Sequence, residues 1–285
     1  MKIDLNNPRI KEGIKISNGQ IEKALAAPQR IEDAVLPIYF PLDSHTKPEQ
    51  IASGVAVKIG GQCFIFSASH VFDDIGQYQL LIGFGDGSKL VALAGERFST
   101  GRGPSGSHRD DPIDASVFHI QSELPDKFGQ VALSYDDLDS SQPDESKSVF
   151  LVSGFRAKES KTLGKRADAN RGCYPSLEYG VDEYKSLDLE IQKHIAIVFE
   201  DQILVGEHWQ TSPGLTGVSG GAIIRVEGVT LAPPFAANSN ARQLLTAIAI
   251  EHRRGKARKP PAVVGTRITV HLALIQKFLP ELEFV

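Results

Sequence analysis

Apolar residues in this chain of 285 residues come in short runs, and their spacing changes along the sequence. Residues 17–28, SNGQIEKALAAP, put Ile21, Ala24 and Leu25 on one face at helical spacing. Ser17 and Gln20 have the offset of a capping box, and Pro28 ends the run. The pattern predicts one short helix here, with residues 1–31 an N-terminal extension. From about residue 32 to 131 helical spacing gives way to short runs punctuated by Gly, Asp and Pro: AVLPIYF (34–40), GVAVKI (54–59), CFIFSAS (63–69), YQLLIGF (78–84), KLVALAG (89–95) and ASVFHI (115–120). These predict the strands of a sandwich or barrel. The polar, glycine-rich stretch 101–113 predicts a loop.

Residues 134–148, SYDDLDSSQPDESKS, are acidic and turn-rich and read as a linker. A second strand-rich half follows: VFLVSGF (149–155), HIAIVF (194–199), GAIIRV (221–226), LLTAIAI (244–250) and VVGTRITV (263–270). In the last fifteen residues, HLALIQKFLPELEFV, Leu272, Leu274, Ile275 and Phe278 suit a terminal helix docked on a barrel. The expected division is an extension over 1–31, a first all-β unit over 32–137, and a linker, second all-β unit and C-terminal helix over 138–285.

Composition narrows the function classes. The apolar and charged fractions, 41% and 23%, are those of a globular protein and not of a disordered one. A formal net charge of −4 argues against binding nucleic acid by bulk charge. Two cysteines, Cys63 and Cys173, make no disulfide framework. The polar start MKIDLNNPRIKEG has no apolar core of a signal segment, and no run of about 18 apolar residues is present to span a membrane. The expectation is a soluble cytoplasmic protein with no membrane partner.

Three segments carry chemistry when read together. Gly217-Val218-Ser219-Gly220-Gly221-Ala222 enters a predicted strand. A serine hydroxyl needs an adjacent base to become a nucleophile, and it needs N–H groups aimed at the developing oxyanion. Glycines around Ser219 permit a tight turn that points the Gly217 and Ser219 N–H groups inward. His70 follows Ser67-Ala68-Ser69 at the end of the strongly apolar run CFIF, and the small Ala68 and Ser69 leave room for an imidazole to lean into a cleft. Asp114 precedes Ala115-Ser116-Val117-Phe118, an apolar run able to shield a carboxylate that orients the imidazole.

These segments resemble the trypsin/chymotrypsin-like serine peptidases, in a leaderless, bacterial-type form. SASH (67–70) resembles the family's T/S-A-A-H, DASVF (114–118) its aspartate motif, and GVSGGA (217–222) its G-D-S-G-G-P and the bacterial G-N-S-G-G-P. The order His, Asp, Ser agrees, with 44 residues from His70 to Asp114 and 105 from Asp114 to Ser219. SGVAVKI (53–59) resembles the family's G-S/T-G-F run, and VVGTRITVHLALI (263–275) its last strand and helix. The resemblance spans about residues 32–280. It implies two antiparallel six-stranded β-barrels and a serine endopeptidase working through an acyl-enzyme on polypeptide substrates. His70, Asp114 and Ser219 would form the triad, the N–H groups of Gly217 and Ser219 would form the oxyanion hole, and no cofactor would be needed.

There are departures. Val218 stands where zymogen-activated members carry an aspartate that pairs with a freed N-terminus, and valine cannot make that pair. Ala222 replaces a common proline, and residues 227–243 form a longer connection than the family's. Val263, if it holds a position often occupied by glycine, would make the primary pocket shallow.

Other features are read more plainly. Arg253, Arg254, Lys256, Arg258 and Lys259 form a basic loop, either a solvated hairpin or a cleft rim suited to acidic segments. Histidines 45, 108, 119, 194, 208, 252 and 271 show no metal-ligand spacing, so no metal is expected. Cys63 reads as a small buried hydrophobe, and Trp209 and His208 read as either core or cleft residues. The alternative function is a regulated or catalytically silent trypsin-like module that acts by binding a partner.

Overall fold

A computed structural model describes residues 7–27, 30–40, 47–75, 79–141, 148–205, 208–231, 237–256 and 259–284. The chain opens with α1 (Pro8–Leu25) and a short α2 (Arg30–Asp33). Eight strands follow: β1 (Val35–Phe40), β2 (Glu49–Ile59), β3 (Gln62–Ala68), β4 (Leu80–Ile82), β5 (Asp86–Lys89), β6 (Val91–Leu93), β7 (Gly95–Ser99) and β8 (Ala115–Ile120). Helices α3 (Ser69–Ile75) and α4 (Asp126–Val131) follow β3 and β8 respectively. The second half contains β9 (Ser148–Leu163), β10 (Arg166–Ser176), α5 (Val181–Leu187), β11 (His194–Val198), β12 (Gln202–Val205), β13 (His208–Thr211), β14 (Ala222–Thr230), β15 (Ala237–Arg253), β16 (Ala262–Arg267) and α6 (Ile268–Phe278).

The strands form two large antiparallel sheets, ordered β6-β4-β1-β2-β3-β8-β7 and β11-β16-β15-β14-β9-β10-β5, and a separate β12–β13 hairpin. The all-β character and the two flanking helices are as the sequence leads one to expect. Each large sheet has seven strands and not six. The extra strand of the second sheet comes from the first half: β9 and β10 form a long hairpin, and the free edge of β10 takes up β5, pairing Arg166 with Lys89 and Asp168 with Asp86.

Strand β2 is buried on both faces, which is why its sequence lacks polar alternation. Val55, Val57 and Ile59 lie in a cluster with Leu151 and Ile224 of the second sheet, whereas Ala52 and Ala56 pack with Leu36, Ile38 and Ile65 of the first. From Ser53 to Ile59 the odd-numbered side chains of β2 therefore face the second sheet, and the Ser53 hydroxyl meets Gly217 and Phe155 there.

Several element boundaries differ from the sequence reading. Helix α1 begins at Pro8, with Asn7 Oδ1 accepting from Arg9 N at 2.9 Å, so Ser17 lies inside the helix and caps nothing. The proline at the first helical position was the missed signal. Ala24 is buried, Ile21 and Leu25 are half-buried, and Gln20 Nε2 donates to Thr230 O at 3.0 Å. Ala24, Ala27 and Ile31 join the cluster between the sheets. The region 32–131 does hold two short helices, α3 and α4, each too short to show a helical period. Residues 227–243 are less a loop than the facing ends of β14 and β15, with 232–236 outside the described residues.

Within the expected linker, 142–147 lie outside the described residues. Asp139 is anchored there by Arg225 Nε at 2.7 Å and Thr246 Oγ1 at 2.9 Å. Burial alone would raise its carboxyl, but these bonds hold it below the usual range. Strand β16 stops at Arg267, where its pairing with β15 ends, so Ile268, Thr269 and Val270 enter α6 although all three are β-branched. Val263 is buried among Ile197, Ile223 and Ala249 in the core of the second sheet. Cys63 and Cys173 are free thiols. Among the described residues no helix is long and apolar enough to cross a membrane.

Helix α6 buries His271 completely. Its ring stacks on Phe66 with centroids 5.4 Å apart, and Nε2 lies 3.3 Å from Ser67 O. Burial pushes its pKa down from 6.5 to about 4. The unfolded chain thus binds a proton that the folded chain refuses, so this site's stability is intact above about pH 6.5 and is lost as pH falls toward 4. At ~1.4 kcal/mol per pKa unit the loss is about 3 kcal/mol. Denaturant titrations between pH 7 and pH 4 should show it. His271→Gln, which keeps a donor for Ser67 O but does not titrate, should flatten that part of the profile.

Candidate active site

The pairing of β3 with β8 places Ala68 opposite Ala115 and Ser67 opposite Ser116. One step further along the ladder, the chain turns from β3 into α3 as Asp114 leads into β8. Ser69 N donates to Asp114 O at 3.1 Å and Ser69 Oγ to Ala115 O at 2.6 Å, which fixes the first turn of α3 beside Asp114. His70, second residue of that helix, sits at the corner rather than at the strand end.

Both oxygens of Asp114 are engaged by His70: Oδ1 accepts from the backbone N–H at 2.8 Å, and Oδ2 lies 2.5 Å from Nδ1. The pairing fixes the ring's orientation and holds the Nδ1 proton, leaving Nε2 for other work. Asp114 adopts a left-handed conformation, φ 50°, which short polar residues tolerate better than others. It is buried, and burial pushes its carboxyl above the usual range; the His70 hydrogen bonds pull the other way, and the nearby Asp111 charge adds to the rise. Asp110 and Asp111 have other partners. Asp110 accepts from Ser105 N and Oγ at 2.8 and 2.6 Å; Asp111 accepts from Thr100 Oγ1 at 2.5 Å and Ile113 N at 3.0 Å.

The turn carrying Ser219 comes from the second half. Gly217 has φ 93° and Gly220 φ 82°, the region that favours glycine. A Cβ on Gly220 would lie 1.9 Å from Ser53 O, and one on Gly217 would lie 2.7 Å from Ala157 N. Glycine is therefore required at both positions for shape as well as for backbone. Thr216 O accepts from Ala157 N at 3.0 Å and Val218 O from Gly221 N at 2.7 Å. Because N–H and C=O of one peptide point opposite ways, these bonds turn the Gly217 and Ser219 N–H groups to the other side, and neither has a partner among the described residues. Val218 is buried with Phe150 and Leu215.

Ser219 Oγ donates to Ile250 O at 3.5 Å and makes no hydrogen bond to His70 among the described residues. Ile250 also lines, with His70, Asp114, Arg109, Glu251 and Arg253, an open cleft of about 390 Å³. The serine thus reaches the wall of the cleft that His70 enters.

No family model matches the chain, and no curated protein sequence does either. Among solved structures it is similar to neuropsin, a serine protease expressed in the limbic system of mouse brain, at a TM-score of 0.53 and 14% identity over 89% of this chain and 97% of that one. The chain has a trypsin-like fold. At that identity the likeness speaks for architecture alone.

Other residues fall around this trypsin-like frame in ways the sequence left open. Arg253 lines the cleft, paired with Glu251 at 2.7 Å and donating to Leu187 O at 2.7 Å; Arg258 lies outside the described residues. Trp209 and His208 are neither core nor cleft lining but exposed on the β12–β13 hairpin. His108 pairs with Asp73 of α3 at 2.9 Å and with Thr100 O at 3.0 Å, a buried fastening of the 101–113 loop that nothing in its local sequence announced. His45 lies outside the described residues. Among the described residues no group of three or more His, Cys, Asp or Glu could hold a metal ion. Sequence reasoning missed Ser69, Thr100 and the side chain of Ser53, since a serine or threonine beside a site carries no pattern of its own.

The raised Asp114 carboxyl has a measurable consequence. Its folded form binds the proton more tightly than the unfolded chain, so its ionisation weakens the fold as pH rises through that value. Asp114→Asn keeps the left-handed backbone and an acceptor for His70 N without the buried charge. It should melt at or above the wild-type temperature at pH 7. Asp114→Ala, which strands a buried donor and strains the backbone, should melt lower, by about 1 kcal/mol or more. Thermal scans of the two variants check the order.

Proposed function

We propose that the protein is a serine endopeptidase. Ser219 attacks the scissile carbonyl, His70 accepts its proton and returns it to the leaving amine, and Asp114 holds the imidazole tautomer and offsets the charge of the imidazolium. The Gly217 and Ser219 N–H groups bind the oxyanion. The observation that carries this reading is the two-point grip of Asp114 on His70 at a cleft whose wall, Ile250, is touched by the Ser219 hydroxyl. The trypsin-like fold supports it. The substrate is polypeptide, and Glu251 and Arg253 set charges of both signs at the cleft. The chemistry needs no cofactor. Two free thiols suit a reducing compartment, the cytoplasm, and a buried Val218 suits a bacterial-type site that takes no terminal salt bridge.

A second reading is a regulated or silent module that keeps the fold and binds a partner. The contact favouring it is the Ser219 hydroxyl turned to Ile250 O rather than to His70. For that hydroxyl to react it must rotate to the imidazole.

A fluorophosphonate probe separates the two readings. A peptidase is labelled at Ser219, and a silent module is not. Ser219→Ala and His70→Ala should each lower peptide hydrolysis by about 10⁴-fold or more while leaving the fold intact. Asp114→Asn should lose most of the activity and Asp111→Asn little. Equal hydrolysis by Ser219→Ala, or the reverse ranking of the two aspartates, overturns the assignment.

A further inference from the structure

We infer that the side chain of Ser53 is a positioning residue that holds the nucleophile turn in its oxyanion-binding shape. Ser53 belongs to the other half of the molecule, on the face of β2 that meets the second sheet. It is fully buried. Its hydroxyl donates to Gly217 O at 2.9 Å and accepts from Phe155 N at 2.9 Å. Its backbone N–H donates to Ser219 O at 2.8 Å. Its own carbonyl accepts from Ser67 Oγ at 2.9 Å, which ties it to the strand leading into His70. One residue therefore grips the carbonyls on either side of Val218 and touches the strand that carries the base.

The turn from Leu215 to Ser219 has five carbonyls, and each has a partner. Leu215 O takes Val218 N, Thr216 O takes Ala157 N, Gly217 O takes the Ser53 hydroxyl, Val218 O takes Gly221 N and Ser219 O takes Ser53 N. The Gly217 carbonyl is the one held by a side chain, so it is the one a substitution can release. Gly217 also has the freest backbone of the five, with φ 93°. With Ser53→Ala, Gly217 O and Phe155 N are left buried and unpaired, and the Gly217–Val218 peptide can rotate to find another partner. That peptide lies between the two that carry the Gly217 and Ser219 N–H groups, so its rotation displaces its neighbours and moves those N–H groups off the oxyanion position. Val218 makes no competing bond through its side chain, which is apolar and packed away from the cleft.

The inference rests on the peptidase reading of Ser219, and the experiment keeps the two apart. The rate of labelling by a fluorophosphonate is measured against probe concentration for the wild type, Ser53→Ala and a control, Val149→Ala, which loosens the same inter-sheet cluster away from the turn. Melting temperatures are measured alongside. The limiting labelling rate should fall about 10- to 100-fold in Ser53→Ala, with half-saturation changed by no more than about twofold, because reversible binding does not use the oxyanion N–H groups. The control should keep its rate at a similar loss of melting temperature. A folded Ser53→Ala that labels as fast as the wild type, or a control that loses as much, overturns the positioning role. A wild type that is never labelled overturns the peptidase reading instead. If Ser53→Ala does not fold, Ser53→Cys carries the same test, since a thiol of similar size is a weak donor; a drop in limiting rate at unchanged half-saturation is again expected, and an unchanged rate overturns the role.

Discussion

Strand β2 is the constraint on which the rest of the molecule depends. It is covered on both faces, so its alternate side chains must serve two different cores at once. Val55, Val57 and Ile59 bind it to the second sheet, and Ala52 and Ala56 leave room for the first core to close over the opposite face. A strand in this position can neither slip by one residue nor tilt without exchanging the two sets of side chains. That rigidity gives Ser53, in the middle of β2, its value. Just before the run Val55–Ile59 the strand presents Ser53 to the turn around Ser219, and it continues, through the hairpin to β3, into the corner that carries His70. The two halves of the site are thus built on the same seam, although His70 and Ser219 are far apart in sequence.

The polar groups at this seam are buried, and their arrangement follows from the cost of leaving any of them unpaired, about 1–3 kcal/mol each. Asp114 is the extreme case. Burial works against its charge, a left-handed backbone works against its side chain, and both of its oxygens are then satisfied by one residue, His70. The fold keeps a buried charge that a neutral asparagine of the same shape could replace without loss of stability. Thr100 and His108 extend the same logic outward. Thr100 Oγ1 accepts from Ala115 N and donates to Asp111, and its carbonyl meets His108, so the loop beside Asp114 is fastened to α3 at several points.

Much of this was legible in the sequence, for identifiable reasons. The strands of the first half show because their apolar runs are short and bounded by turn residues. Asp114 and His70 show because the apolar runs next to them are also the strands that pair. What was illegible depends on contacts distant in sequence. The seventh strand of the second sheet exists only because the long β9–β10 hairpin offers an edge to Asp86–Lys89, a segment with no strand pattern of its own. The second half of helix α1 showed in Ile21, Ala24 and Leu25, but its first half hid behind a polar composition, while its start was marked by Asn7 and Pro8. Ser53 was visible as part of SGVAVKI, but nothing local says that its hydroxyl meets Gly217, because that meeting requires the register of β2 and the position of the second sheet together.

Val218 connects these points. Its side chain lies among Phe150, Leu215 and Ala249, an apolar surrounding in which a carboxylate would lose its hydration. Order in the turn around Ser219 therefore comes from neutral hydrogen bonds, chiefly the backbone bonds of the turn itself and the two that Ser53 supplies. Such bonds have no titration midpoint and are little weakened by salt, in contrast to an ion pair. Beside this turn the close ionisable pair is Asp114 and His70. The turn that would receive the oxyanion is built from groups that keep the same charge at every pH at which the fold survives. The division follows from the chain's own geometry: the face of β2 that can reach the turn is the face that packs against a second apolar sheet, and there a serine hydroxyl can be satisfied while a charge cannot.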